Sequence, residues 1–469
     1  MKRTKKAHYK GFLLNFQIAN FMEGRIMRHE DLPYSPDLID NYIKRGLFIK
    51  HEAISMTKKL LKNHYRCNRC LNTEQAKFIH YHCAKCERIC TYCRHCITMG
   101  RVASCTQLFT WNGSHKRNIK KHQLHWTSTL TELQAKASEQ LIESVAQKRS
   151  HLLHAVCGSG KTEILFLPIY EALQQNLRVC IATPRTDVVL ELAPRLRKVL
   201  PSTTIHELYG DAPAQQGYAQ LIIATTHQLY RFHEAFDVML VDEADAFPYT
   251  FDQSLQKAVL KAKKADAPIV YVTATPSPQL LKQRQGYSFI PKRYHNHPLP
   301  VPRLQTLFRY RQQIQKGKLP KKLQQWVERC ITRKQPFLIF FPTINMIEQA
   351  LPLFCENILG VHAEDPLRKE KVLQLRNGEI HGLLTTTILE RGITIANLQV
   401  AVVGAESAIF TASALIQIAG RVGRSREYPT SDIVFFHHGI SLEMDEAKSE
   451  IERLNEVAYG QGSTQLLTM

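Results

Sequence analysis

An α/β fold is what the sequence predicts: two lobes in tandem, each on a mostly parallel sheet, behind a small cysteine-rich module. Three observations carry that expectation. Ala155-Val-Cys-Gly-Ser-Gly160-Lys161-Thr162 fits the phosphate-loop pattern, with Ala in place of the opening Gly. Leu240-Val-Asp242-Glu243-Ala-Asp245 ends a second apolar run on acids. Seven of the 12 cysteines crowd into residues 67–96.

The basic surplus is uneven. Of 62 Lys and Arg, 24 lie in residues 1–126 with only 8 of the 41 Asp and Glu, so +16 of the net +21 sits in that quarter. A polyanionic partner is the natural reading. No run of about 18 apolar residues exists, so no transmembrane helix is expected. Asn15, Gln17 and Asn20 break the apolar part of the start, which argues against a cleaved signal peptide. Clustered cysteines, with Cys157, Cys180, Cys330 and Cys355 set singly in apolar surroundings, read as metal ligands plus buried thiols in a reducing compartment.

Residues 1–60 form a basic N-terminal region to which no chemistry is assigned. Leu38, Ile39, Tyr42 and Ile43 predict a short amphipathic helix over 37–45. A zinc-binding module follows at 61–106. Cys-x2-Cys pairs form turns whose sulfurs converge on one tetrahedral Zn2+. Cys67, Cys70, Cys93 and Cys96 make one complete quartet, while Cys83, Cys86 and Cys90, with Cys105, His80, His82 or His95, are available for a second. A segment this polar needs the metal to fold, a structural zinc contributing on the order of 10 kcal/mol. Arg66, Arg69, Lys77, Lys85, Arg88, Arg94 and Arg101, interleaved with Tyr65, Tyr81 and Tyr92, suit a phosphate-and-base surface. Zinc ribbons also dock proteins, so that use stays open.

Residues 107–128 read as a basic linker. From there apolar strands recur at 151–157, 178–183, 220–225, 236–242 and 268–274, separated by helical sequence, giving a first lobe over 129–290. Strand, Gly-rich loop and helix 163–175 stand in the order a phosphate site requires: backbone N–H groups from Ala155, Val156, Cys157, Gly158, Ser159 and Gly160 face the phosphates, Lys161 neutralises them, and Thr162 reaches Mg2+. Asp242 would also hold Mg2+, and Glu243 would orient or deprotonate the attacking water. Four prolines from Pro291 to Pro302 mark the inter-lobe linker, placed at 291–310. Strands at 336–341, 381–387, 399–404 and 431–437 build a second lobe over 311–460, with a tail at 461–469. That lobe has no phosphate loop, but Gln417-Ile-Ala-Gly420-Arg421-Val-Gly423-Arg424 offers two arginines suited to insertion into the other lobe's ATP site.

The ordered set resembles a superfamily 2 helicase motor, which implies two RecA-like lobes. Besides the stretches above it includes Gln134 in Leu130-Thr-Glu-Leu-Gln, Ala182-Thr-Pro-Arg185, Thr225-Thr-His-Gln228, Thr273-Ala-Thr275, Phe340-Phe-Pro-Thr343 and Thr385 to Gly392. By that resemblance Gln134 would contact adenine. Thr183, Arg185, Thr226, Thr343 and Thr386 would track the nucleic-acid backbone. Asp245, Thr273, Thr275 and Gln417 would couple that track to the nucleotide. RNA-unwinding DEAD-box proteins usually carry His at position 417, Asp at 394 and Ser at 273, where this chain has Gln417, Thr394 and Thr273.

A longer likeness is to the ComFA family of late competence proteins. Tyr65-Arg-Cys-Asn-Arg-Cys70, Tyr92 to Arg101, Ala155 to Glu163, Ala182 to Arg195, Thr387 to Gly392 and Gln417 to Arg424 carry it. That family's single zinc quartet corresponds to Cys67, Cys70, Cys93 and Cys96; Cys83, Cys86 and Cys90 depart from its pattern. The resemblance implies an ATPase using ATP, Mg2+ and Zn2+ to drive single-stranded DNA into the cytoplasm during natural transformation. It would work at the inner face of the membrane beside a ComEC-like channel and a ComFC-like partner, its oligomeric state left open. A duplex-unwinding helicase similar to PriA and a basic zinc-dependent binding scaffold are the alternatives.

Overall fold

The structure is a computed structural model, and it describes residues 16–59, 62–113, 121–213, 215, 217–354, 357–390 and 395–460. Cys355, Arg391, Gly392, Thr394 and the tail at 461–469 lie outside them.

The N-terminal part is antiparallel. Met27–Arg28 (β1) and Phe48–Glu52 (β2) flank Gln107–Trp111 (β7), while Ile54–Lys59 (β3) pairs with Lys62–Cys67 (β4) and Phe78–Cys83 (β5) with Arg88–Cys93 (β6). The expected helix forms at Pro36–Lys44, burying Ile39 and Tyr42 in a cluster with Phe48 and Phe109. The proposed linker at 107–128 therefore begins later than its composition suggests, because Leu108 and Phe109 of β7 are core residues of this sheet.

Lobe 1 is a seven-stranded parallel sheet. Its strands are His151–Ala155 (β8), Val179–Thr183 (β9), Ile205–Leu208 (β10), Leu221–Thr225 (β11), Val238–Asp242 (β12), Ile269–Thr273 (β13) and Gly286–Ile290 (β14), in the order β10-β11-β9-β12-β13-β8-β14. Lobe 2 is a six-stranded parallel sheet of Arg303–Thr306 (β15), Phe337–Phe340 (β16), Ile358–Val361 (β17), Gly382–Thr385 (β18), Gln399–Val403 (β19) and Ile433–His437 (β20), in the order β15-β20-β19-β16-β18-β17. Strands such as Leu221–Thr225 and Phe337–Phe340 are buried along their whole length, as parallel strands covered by helices on both faces must be. The signature loops at 157–160, 184–185, 243–245, 274–275 and 341–343 leave the carboxyl ends of strands, where ligands bind in such sheets. Gln134 is instead carried by a helix, and the Gln417 to Arg424 stretch begins on another. Because β15 already belongs to lobe 2, the connection between lobes ends near residue 302 rather than 310.

The cysteine module is not a bead on a tether. Cys67, Cys70, Cys93 and Cys96 share one core with Leu229, Tyr230, Phe236 and Leu255 of lobe 1. Polar contacts seal the seam: Lys261 Nζ donates to Arg69 O at 2.6 Å, His95 Nε2 meets Ser254 Oγ at 2.5 Å, and Arg178 Nη1 donates to Glu23 O at 2.8 Å. The Arg25 guanidinium lies over the rings of Phe21 and Phe232, and burial, then Arg178, lowers its pKa to about 9. Among the described residues no helix is long and apolar enough to cross a membrane.

Candidate active site

β8 ends at Ala155, and the chain turns through Gly158 and Gly160 into the helix Lys161–Gln174. Gly160 holds φ +76°, and a Cβ there would sit 2.4 Å from Gln134 Nε2, so conformation and space both select glycine. Lys161 Nζ donates to Ala155 O at 2.9 Å, keeping the ammonium over the loop. Gln134 fills a capping box with Thr131, and its Nε2 donates to Ser159 O at 2.7 Å. Each end of its amide thus holds one protein partner, so it braces the phosphate loop while lining the cleft, with a second donor and a second lone pair left over. Thr162 Oγ1 accepts from Arg195 Nη1 at 3.1 Å, and Arg195 also pairs with Glu163. Asp242 closes β12, its Oδ1 accepting from Glu243 N at 2.9 Å.

These groups face lobe 2 across a cleft of about 820 Å3, lined by Lys161, Thr162, Asp242, Glu243, Arg421 and Arg424 together with Gln134, Arg195 and Tyr294. Arg421 is almost fully buried, its Nε donating to Glu390 O at 2.6 Å. Burial, then Arg424, lowers its pKa to about 9, so it remains a cation at neutral pH. Arg424 Nε donates to Gly420 O at 2.8 Å. Arg293 holds this turn from the connecting segment, donating to Gly423 O and Val422 O at 2.7 Å each. A Cβ on Gly420 would fall 2.3 Å from Cys157 Cβ, so the two lobes touch backbone to loop.

Asp245 is the hub of the seam. Its Oδ1 accepts from Thr273 Oγ1 at 2.6 Å, and its Oδ2 accepts from Thr275 Oγ1 at 2.7 Å and Gln417 Nε2 at 3.2 Å. Gln417 Oε1 in turn accepts from Cys157 Sγ at 3.1 Å. Hydrolysis loop, strand end and second lobe are joined through one carboxylate.

The expected nucleic-acid positions divide. Thr343 caps the helix Ile344–Ala350 at the end of β16 and is exposed, and Thr386 lies half-buried after β18. Arg185 pairs with Glu390 of lobe 2 at 2.5 Å. Thr183 closes β9 and Thr226 opens the 3-10 turn after β11; both are fully buried, and neither hydroxyl has a hydrogen-bond partner among the described residues.

The first cysteine quartet is fully buried, with Cys67 to Cys96 and Cys70 to Cys93 Sγ separations of 3.8 and 3.7 Å. A tetrahedral zinc with 2.3 Å bonds sets sulfurs about 3.8 Å apart, so the residues fit the metal. Arg69 is buried beside them, donating to Cys96 Sγ at 3.0 Å and to Cys96 O and Gly100 O at 2.6 Å. It supports the centre and does not belong to the phosphate-binding surface expected of it. Arg66, Lys85, Arg88, Arg94 and Arg101 are exposed.

Two parallel-sheet lobes, with a phosphate loop and an Asp-Glu pair on one facing two arginines on the other, define an ATP-hydrolysing, DNA helicase-like enzyme of superfamily 2, using ATP and Mg2+. Residues 127–278 match the family described as "Type III restriction enzyme, res subunit" and 319–426 the "Helicase conserved C-terminal domain". Residues 9–110 match "Competence protein ComFA N-terminal domain". The chain is 43% identical over 450 residues to Competence protein ComFA of Bacillus subtilis, covering 94% of this chain and 96% of that one. It is 38% identical over 378 residues to Competence protein ComFA of Streptococcus pneumoniae, covering 78% and 86%. The chain belongs to the ComFA family of competence proteins. Its fold is also similar to S. cerevisiae Dbp5 bound to RNA and ADP BeF3, with TM-score 0.52 and 15% identity over 69% of this chain and 91% of that chain.

Proposed function

We propose that this chain is a single-stranded-DNA-stimulated ATPase and translocase that draws incoming DNA into the cytoplasm during natural transformation. The observation that carries the motor half is the Asp245 hub, which makes the hydrolysis loop and the second lobe share hydrogen bonds. The import half rests on membership of a competence family and on the basic N-terminal quarter.

In this reading Lys161 and the loop N–H groups hold the phosphates, Glu243 positions the attacking water, and Arg421 and Arg424 meet charge developing in the transition state. Asp242 and Thr162 would hold Mg2+, which would supply charge neutralisation to the phosphate oxygens. Arg421 contributes only while lobe 2 is seated, so hydrolysis depends on closure. Thr343 and Thr386 contact the strand on lobe 2, with Arg185 released from Glu390 when DNA binds. The first quartet holds Zn2+. The protein acts at the inner membrane face beside a ComEC-like channel and a ComFC-like partner.

The test is ATP turnover alone and with single-stranded DNA, duplex DNA or single-stranded RNA, at low and physiological salt, since basic proteins bind any polyanion at low salt. Stimulation by single-stranded DNA above the other two supports the proposal. Equal stimulation by RNA, or none at all, overturns it.

A further inference from the structure

We propose that Cys83, Cys86, Cys90 and Cys105 hold a second zinc ion, independent of the first. Their sulfurs all lie within 4.8 Å of one another, with Cys83 to Cys105 at 3.8 Å and Cys86 to Cys90 at 3.3 Å, close to the separations a tetrahedral thiolate centre imposes.

The fourth ligand is decided by position: Cys105 Sγ joins the other three sulfurs within 4.8 Å, and no nitrogen of His80, His82 or His95 belongs to the group. His80 Nδ1 is bonded to Thr91 Oγ1 at 2.8 Å, and His95 Nε2 is held on the lobe 1 seam by Ser254. Cys105 arrives from the loop before β7, far from any Cys-x2-Cys pair, and completes the set. The two centres are separate. Cys90 and Cys93 are three residues apart on β6, which places them on opposite faces and roughly 10 Å along the strand.

The surroundings need an ordering force. Only Cys83, Cys90 and Ala103 are buried in the local cluster, and Ile89 at the tip is 77% exposed. Besides the partly buried Tyr81 and Tyr92 rings, packed edge to face at 5.5 Å, these three small residues give the hairpin tip little burial. A metal binding residues 83–90 to residue 105 would fix both the hairpin tip and the strand leading back to β7. A centre with four thiolates carries net charge −2; of the cations beside it, Lys85 pairs with Glu30 at 3.1 Å and Arg101 lies 4.8 Å over the Tyr81 ring. The result is a rigid finger at the edge of the module.

The test uses the full chain purified under reducing conditions. Native mass spectrometry and elemental analysis should give two zinc ions per chain. Iodoacetamide should leave Cys83, Cys86, Cys90 and Cys105 unlabelled until a chelator is added, although Cys86 and Cys105 are partly accessible. The double variant Cys83→Ser/Cys105→Ser should retain one zinc, and zinc-free protein refilled with Co2+ should show thiolate charge transfer saturating at two equivalents in the parent. One zinc in the parent, or prompt labelling of the four cysteines before chelation, overturns the proposal whether or not the variant folds. Two disulfides, Cys83 to Cys105 and Cys86 to Cys90, with one zinc would overturn it as well.

Discussion

Glu243 stands one residue beyond Asp242 and lines the same cleft as Arg421 and Arg424, the position from which a carboxylate can orient water toward a γ-phosphate. Glu243→Gln keeps the shape and removes the charge, so ATP turnover should fall by roughly 10²-fold or more while single-stranded DNA affinity stays within a few fold. Turnover at the parent rate would remove Glu243 from that role. The same scale shows what the amino-acid string could convey. Lys161, Thr162, Asp242 and Glu243 were legible because their chemistry needs fixed spacing on one loop or strand end. Arg195 and Arg293 were not, since each reaches the site from an element whose pattern is about packing. Arg195 sits among apolar positions of the helix Thr186–Val199, and Arg293 sits in a proline-rich connection. Arg69 misled for the opposite reason: a basic residue between cysteines reads as surface, yet its guanidinium is spent on Cys96 and two carbonyls near it.

At the level of elements, the hydrogen bonds of Asp245 tie the end of β13 to the helix Ala412–Ala419. Asp245→Asn puts a donor where three donors converge, so lobe closure should lose its link to the track. Basal turnover should stay within a few fold, while stimulation by single-stranded DNA should drop to about twofold or less, the loss of one buried charge-assisted network. Undiminished stimulation would show that coupling runs elsewhere. Central strands announced themselves in the sequence, and four others did not. β10, β14, β15 and β17 are the edges of the two parallel sheets, and each is only partly buried, so none needs an unbroken apolar run. The N-terminal strands escaped notice because antiparallel pairs tolerate polar faces; β2 buries only Phe48 fully.

For the molecule as a whole, the first quartet lies in the same core as the helix Gln253–Ala262 behind Asp242 to Asp245. Cys67→Ser, or chelation, should therefore lower the melting temperature of lobe 1 as well as the module, and hydrogen exchange should rise along Leu255 to Ala262. Exchange confined to residues 62–105, with lobe 1 untouched, would show that the shared core contributes little. That junction was invisible in composition, where the charge and cysteine content change abruptly and suggest a detachable part. A consequence follows for how such a machine could take a step. If the chain translocates as proposed, this joint would leave it two moving bodies, not three, because the N-terminal module shares one core with the nucleotide-binding lobe and would travel with it. Lobe 2 would then be the part that swings, so a strand held at both places would be stretched or advanced between a fixed handhold and a travelling one.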